Sequence, residues 1–233
     1  MELLSFGNRG WGDELARATA MTVAVASCAF LLGLVFGSLG AWAKSSGGRV
    51  GAVVVDVYTT VIRGIPELLV IYLLFFGGSG ALMYLARIFG HTGYIEINAF
   101  ATGAFAIAVV NGAYSLEVIR GAVQSVPRGE IEAAKAFGMS TWTLFRRVLA
   151  PQTLRFALPG LGNVWQLALK ETALISVTGL VEIMRQATVA AGSTKQPFTF
   201  YAVACVLYLL LTTVSGQGFA RAERWASRGV RRA

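Results

Sequence analysis

Charged residues are scarce in this chain, and their scarcity limits the classes of protein to which it can belong. Asp, Glu, Lys and Arg make up 14% of the 233 residues, whereas soluble globular domains carry about 25%. Hydrophobic residues make up 55%, and the mean hydropathy is +0.63. This composition excludes an ordinary soluble domain and indicates a membrane protein.

Residues that bind metals or form covalent intermediates are also few. The two cysteines, Cys28 and Cys205, lie in apolar runs without a second Cys or a His nearby, so we expect both to be small core residues. The only histidine, His91, lies between glycines and is expected in a loop. We find no nucleophile motif, paired-carboxylate site or metal-ligand cluster, and therefore expect no catalysis and no metal or cofactor bound by this chain.

Long apolar runs dominate the sequence. An α-helix needs ~20 residues to cross the hydrocarbon core of a bilayer, and five runs approach or exceed that length. The first is too long for a signal-peptide core and is followed by others, so we expect it in the mature protein. We predict an all-α, polytopic membrane protein with one transmembrane domain over residues 1–233. The predicted spans are 18–43, 54–78, 98–121, 157–177 and 198–220, with a polar loop at 122–156.

The basic residues indicate how these spans are oriented. Cytoplasmic loops of membrane proteins are enriched in Lys and Arg, and most of the 20 basic residues fall inside if the amino terminus lies outside the cell. We therefore predict a periplasmic amino terminus, a cytoplasmic carboxyl terminus and a cytoplasmic loop at 122–156. Orientation and contact with membrane lipid then account for the net charge of +8, without nucleic acid as a partner.

The cytoplasmic loop carries the signals of two short helices. Pro127 can begin the first and Gly138 can end it, and a second can start at Ser140 or Thr141 and run to Pro151. Each helix has a small apolar face. Such an elbow can either dock on a soluble partner or fold back onto its own membrane domain.

The loop resembles the signature loop of ABC-importer permeases, in which Glu-Ala-Ala is followed at fixed spacing by Gly and then by an aliphatic residue and Pro. Ala150 departs from the pattern, because the family prefers Leu there. The matching positions, which the resemblance assigns to coupling with an ATPase, are Glu132, Ala133, Ala134, Gly138, Val148 and Pro151.

Five further segments make the chain similar to the polar amino acid permeases, and most similar to subunits of the histidine, lysine/arginine/ornithine and octopine/nopaline importers. The resemblance implies the type I importer permease fold and import of cationic amino acids or opines across the bacterial inner membrane. The segments are Tyr58–Leu68, Gly112–Gly121, Phe156–Asn163, Leu169–Ser176 and Thr212–Ser215.

The resemblance also implies partners. These are a homologous second permease in a heterodimer, two copies of a cytoplasmic ATPase and a periplasmic solute-binding protein. The sequence lacks the Gly-x-x-x-x-Gly-Lys-Ser/Thr phosphate loop, so ATP and Mg are expected to act on the partner ATPase. The alternative is a self-contained secondary transporter or channel, which would need no ATPase.

Polar residues within the predicted spans are candidates for a solute path, because a charge near the bilayer centre costs at least about 2.5 kcal/mol. Glu117 and Tyr114 can offer a carboxylate and an aromatic face to a cationic solute, although Glu117 can instead pair locally with Arg120. Glu67 is a further charged residue in a span. We expect Arg63 to be an anchor at the inner interface.

Lys170, Glu171 and Thr172 interrupt another apolar run. Consecutive helical residues differ by about 100° in direction, so the three cannot all face lipid. They can face a central cavity, or they can form a buried network that holds the helices together. With Tyr114 and Glu117, they complete the candidate translocation path.

Overall fold

The structure is a computed structural model that describes residues 2–7, 10–45, 48–90 and 98–228. Within these ranges the chain is helical and contains no strand, whereas His91 lies outside them. The α-helices are α1 (Gly12–Ser45), α2 (Arg49–Gly64), α3 (Glu67–Tyr72), α4 (Gly78–Ile88), α5 (Ala99–Gln124), α6 (Arg128–Ala136), α7 (Thr141–Leu144), α8 (Ala150–Glu171), α9 (Ile183–Thr194) and α10 (Pro197–Ala226).

Helices α1 and α5 pack most closely, through small residues. A Cβ atom placed on Gly37 would lie 2.6 Å from the Cβ atom of Ser115, and one on Gly33 would lie 3.1 Å from that of Asn111. Small residues let membrane helices approach backbone to backbone, where dispersion forces hold them together. The contact fixes the position of α5, which carries four of the polar side chains described below, Asn111, Tyr114, Glu117 and Arg120.

The predicted span 54–78 is divided in the structure. Helices α2 and α3 are bent by 111° relative to each other, because Ile65 is extended (φ −108°, ψ 145°) and Pro66 precedes the first residue of α3. Proline disfavours helical backbone in the residue before it and cannot donate an intrahelical hydrogen bond. The bend leaves Arg63 at the end of one helix and Glu67 at the start of the next.

Judged by length and composition, only some of the helices are candidates for membrane spans. In the described part of the chain, α1, α5 and α10 meet that measure, and the bent pair α2–α3 makes a fourth if it counts as one span. Helix α8, which overlaps the predicted span 157–177, does not meet it, because it carries several charged and amide side chains. It ends in a 3₁₀ turn, Thr172–Thr178, which Gly179 closes at φ 89°.

Apolar side chains from several helices form the core. Its largest cluster joins α1, α3, α5, α8 and the 3₁₀ turn, and a second joins α1, α9 and α10. Helix α10 turns most of its apolar side chains outward, as expected for a lipid-facing or subunit-facing helix. Fully buried members of the two clusters include Val25, Ile71, Ile107, Ile175, Ile183 and Phe200.

Candidate functional site

A cavity of about 410 Å³ lies between the end of α2, the middle of α5 and α8. It brings together three of the predicted path residues, Tyr114, Glu117 and Lys170. Its polar lining side chains are those of Arg63, Tyr114, Glu117, Asn163, Gln166 and Lys170.

Glu117 forms the predicted pair with Arg120 and also lines the cavity. Arg120 Nη2 lies 2.6 Å and Nε 3.2 Å from the same oxygen, Oε2 of Glu117. Oε1 takes part in neither bond. The local ion pair with Arg120 therefore does not use both oxygens of Glu117, and a role of this carboxylate in a solute path stays a prediction.

Tyr114 is held from two sides. Its hydroxyl donates to Oε1 of Glu67 at 3.0 Å, and Cζ of Arg63 lies 5.6 Å from the centroid of its ring. Arg63, which we expect to be an anchor at the inner interface, also lines the cavity. This position could not be predicted from the sequence, because it depends on the bend between α2 and α3.

Lys170 is exposed at the surface of the subunit. Within the described residues it forms no ion pair, since the pairs found there join Lys44 to Asp56 and Arg120 to Glu117. An unpaired ammonium beside a cavity can bind a carboxylate of a ligand.

Glu171 lies beside the cavity rather than in its lining. Its side chain is buried, and Asn111 Nδ2 donates to its Oε2. The two remaining oxygens, Oε1 of Glu171 and Oδ1 of Asn111, are buried and have no hydrogen-bond partner among the described residues. Glu67 interacts electrostatically with Glu171. Buried acceptors without donors are rare, so this group can accept donors from a ligand or from water.

Thr172 belongs to a different group. Its hydroxyl lies 3.1 Å from that of Tyr208, and Tyr208 donates to Oε2 of Glu182 at 2.9 Å. The Glu182 carboxylate also accepts from the backbone N–H groups of Met184 and Arg185, which caps the start of α9. The structure therefore separates Thr172 from the cavity and places it in a network that joins the 3₁₀ turn after α8, the start of α9, and α10.

The loop between α5 and α8 has the predicted helical elbow. Helix α6 ends before Gly138, whose φ of +72° lies in the left-handed region, and Ser140 caps α7 by accepting a hydrogen bond from the N–H group of Thr143. The rings of Trp142 and Phe145 stack with centroids 5.8 Å apart. Both rings are exposed, so the elbow presents an aromatic surface without cover from the described part of this chain.

We predicted that the second loop helix ends at Pro151, but in the structure the helix continues past this residue. A π-helical turn, Phe145–Leu149, joins α7 to α8, and the N–H group of Ala150 donates to the carbonyl of Phe145, five residues earlier. The wider turn accommodates a proline that cannot donate to the preceding turn. Consequently the chain runs as one helical rod from the elbow into α8, the helix that carries Lys170.

The six predicted coupling residues lie along this elbow and rod. Ala134 is buried and Val148 is half-buried. Gln152 on α8 donates to Glu130 on α6, which ties the outer arm of the elbow to the rod. The exposed members are Glu132, Ala133, Gly138 and Pro151.

Comparison with known proteins decides what kind of molecule contains this cavity and elbow. Residues 29–223 match the family described as binding-protein-dependent transport system inner membrane component. The chain belongs to this family. It is therefore a multi-pass permease of the inner membrane that works with a binding protein, and its ATPase is a separate subunit.

Relatives that match almost the whole chain show which members of the family it resembles. The permease is 59% identical to the nopaline transport system permease protein NocQ of Agrobacterium fabrum, over 99% of this chain and 98% of that one. It is 39% identical to the histidine/lysine/arginine/ornithine transport system permease protein HisQ of Escherichia coli, over 96% and 98%.

Solved structures confirm the predicted fold. An amino acid ABC transporter crystallised with histidines matches with a TM-score of 0.78 and 30% identity, over 92% of this chain and 94% of that one. The inward-facing methionine transporter MetNI matches with a TM-score of 0.68 at 19% identity, which supports the fold alone.

Proposed function

We propose that this permease carries cationic amino acids or opines, and that the solute passes through the cavity at Tyr114, Glu117 and Lys170. The observation that supports this most strongly is the set of groups gathered there. A carboxylate oxygen free of the Arg120 pair and an aromatic ring suit a cationic side chain or an ammonium group. The unpaired ammonium of Lys170 suits the carboxylate that amino acids and opines share.

The buried group beside the cavity extends this proposal. Glu171 and Asn111 together leave two acceptors without donors, and a guanidinium has five N–H donors in a planar fork. A solute whose side chain reaches this group would satisfy acceptors that the protein leaves unpaired. The names of NocQ and HisQ point to the same two classes of solute.

The proposed assembly pairs this permease with a homologous second permease, two copies of the ATPase and one periplasmic binding protein. In it, the amino terminus is periplasmic, the carboxyl terminus is cytoplasmic, and residues 1–233 form one transmembrane domain. ATP and Mg act on the ATPase, and this chain binds no cofactor.

Coupling would use the elbow as a lever. The ATPase would contact the surface formed by Glu132, Ala133, Gly138 and the aromatic rings of Trp142 and Phe145. Because the rod from the elbow continues into α8, movement of the docked ATPase would tilt the helix that carries Lys170. The alternative, a self-contained transporter, leaves the exposed aromatic surface of the elbow without a use.

Binding of labelled solutes to the assembled importer in lipid nanodiscs tests the substrate class. We expect labelled L-arginine to bind and to be displaced by L-histidine or an opine better than by L-glutamine or L-glutamate. Stronger displacement by the neutral or acidic amino acid would refute the proposed substrate class.

A further inference from the structure

Arg63 lines the cavity and lies over the ring of Tyr114. Its Cζ atom lies 5.6 Å from the centroid of the Tyr114 ring, within the distance at which a ring face attracts a cation. In the described part of the chain it forms no ion pair with a carboxylate. The contact with the ring is therefore the interaction that the structure shows for this guanidinium.

The residues around Tyr114 hold its ring in a fixed position relative to Arg63. Arg63 belongs to the last turn of α2 and Glu67 to the first turn of α3, on the two sides of the 111° bend. Glu67 holds the phenol oxygen while Arg63 covers the ring. The ring is thus held between two residues of the bend, and a cation already lies over one of its faces.

We propose that Arg63 is an internal competitor of the solute, whose guanidinium must leave the Tyr114 ring before a cationic solute side chain can bind there. This inference depends on the proposed function for the identity of the solute. Two guanidinium groups repel each other and cannot share one face of one ring. The apparent affinity for the solute is therefore lowered by the free energy that holds Arg63 in place.

The competition penalises cationic solutes more than neutral ones. A cationic side chain must displace Arg63 to gain the ring contact, after which it can also meet the carboxylate of Glu117. A neutral side chain gains no cation–π contact from the ring, so it can bind with Arg63 in place. Arg63 thus lowers the preference for cationic solutes that Tyr114 and Glu117 provide, and it acts as a specificity-determining residue.

The test measures solute binding to the complete importer in nanodiscs, with the variant Arg63→Gln in this permease. The probes are L-arginine and L-citrulline, which have the same length but carry a guanidinium and a neutral ureido group. We expect arginine to bind the variant about three- to tenfold more tightly than the wild type, from the usual strength of cation–π contacts. Citrulline should gain less, so arginine's advantage over citrulline should increase.

Two further variants separate competition for the ring from a general change of charge. In a Tyr114→Leu background the ring is absent, so Arg63→Gln should give little further gain in arginine affinity. Arg155→Gln is the matched control, because Cζ of Arg155 lies 5.3 Å from the ring centroid of Phe156, outside the cavity lining. This control should leave arginine binding unchanged.

The possible results discriminate between this inference and the proposed function. Wild-type importer that does not bind arginine would refute the proposed substrate class. Wild-type binding with unchanged or weaker binding by Arg63→Gln would refute only the competition, as would an equal gain for citrulline. If Arg63→Gln and Arg63→Lys both fail to assemble, as judged by size-exclusion chromatography, the contact serves folding and the inference is also refuted.

Discussion

At the scale of one residue, Glu117 pairs locally with Arg120 through only one of its two oxygens. Both hydrogen bonds from Arg120 reach Oε2, and we propose that Oε1 meets the solute. We predict that Glu117→Gln weakens arginine binding about tenfold, which corresponds to the free energy of a charge-assisted hydrogen bond. Equilibrium binding of labelled arginine measures the change.

Arg120→Gln provides the comparison for that prediction. It removes the same ion pair but leaves the Glu117 carboxylate in place, so arginine binding should be kept or strengthened. Equal losses in the two variants would mean that Glu117 serves only the local pair and does not contact the solute.

At the scale of helices, the contact between α1 and α5 determines where the cavity residues of α5 lie. We predict that Gly37→Ala lowers the stability of the importer by about 1–3 kcal/mol, because the added methyl group would meet Ser115 and backbone atoms of α5. Gly121→Ala adds the same methyl group where nothing lies within 4 Å, and it should be neutral or stabilising. Thermal unfolding of the purified importer compares them; a similar midpoint for both would contradict the close packing.

The elbow between α6 and α7 depends on the left-handed backbone of Gly138. We predict that Gly138→Val uncouples ATP hydrolysis from transport, since a β-branched residue at this φ costs at least about 1 kcal/mol and moves the docking surface. Gly138→Asn should retain coupling, because Asn tolerates this conformation. The ratio of solute transported to ATP hydrolysed is the measurement, and an unchanged ratio in Gly138→Val would count against the lever.

Sequence patterns predicted local features of these helices better than their arrangement. The elbow could be predicted because Pro127, Gly138 and Ser140 act on their immediate neighbours. The continuous rod through Pro151 could not, because a wider π-helical turn upstream compensates for the proline. The pairing of Asn111 with Glu171 joins residues 60 positions apart, so it depends on how α5 and α8 pack. In the same way, the position of Arg63 depends on how α2 packs.

At the scale of the whole molecule, a helical rod joins the elbow to the helix that lines the charged cavity, and the sequence contains no phosphate loop. On the isolated subunit, α10 exposes apolar surface and Lys170 exposes a charge. Such exposure agrees with a subunit that functions inside a larger assembly. The central claim is that solute movement through this chain is driven by ATP hydrolysis on a partner.

Uptake of labelled L-arginine into vesicles containing the complete importer and its binding protein tests this claim most directly. We predict that uptake requires hydrolysable ATP on the side of the ATPase and stops when the ATPase is omitted or its catalytic site is inactivated. Uptake at the same rate without ATP, or by the permease alone along an ion gradient, would contradict it.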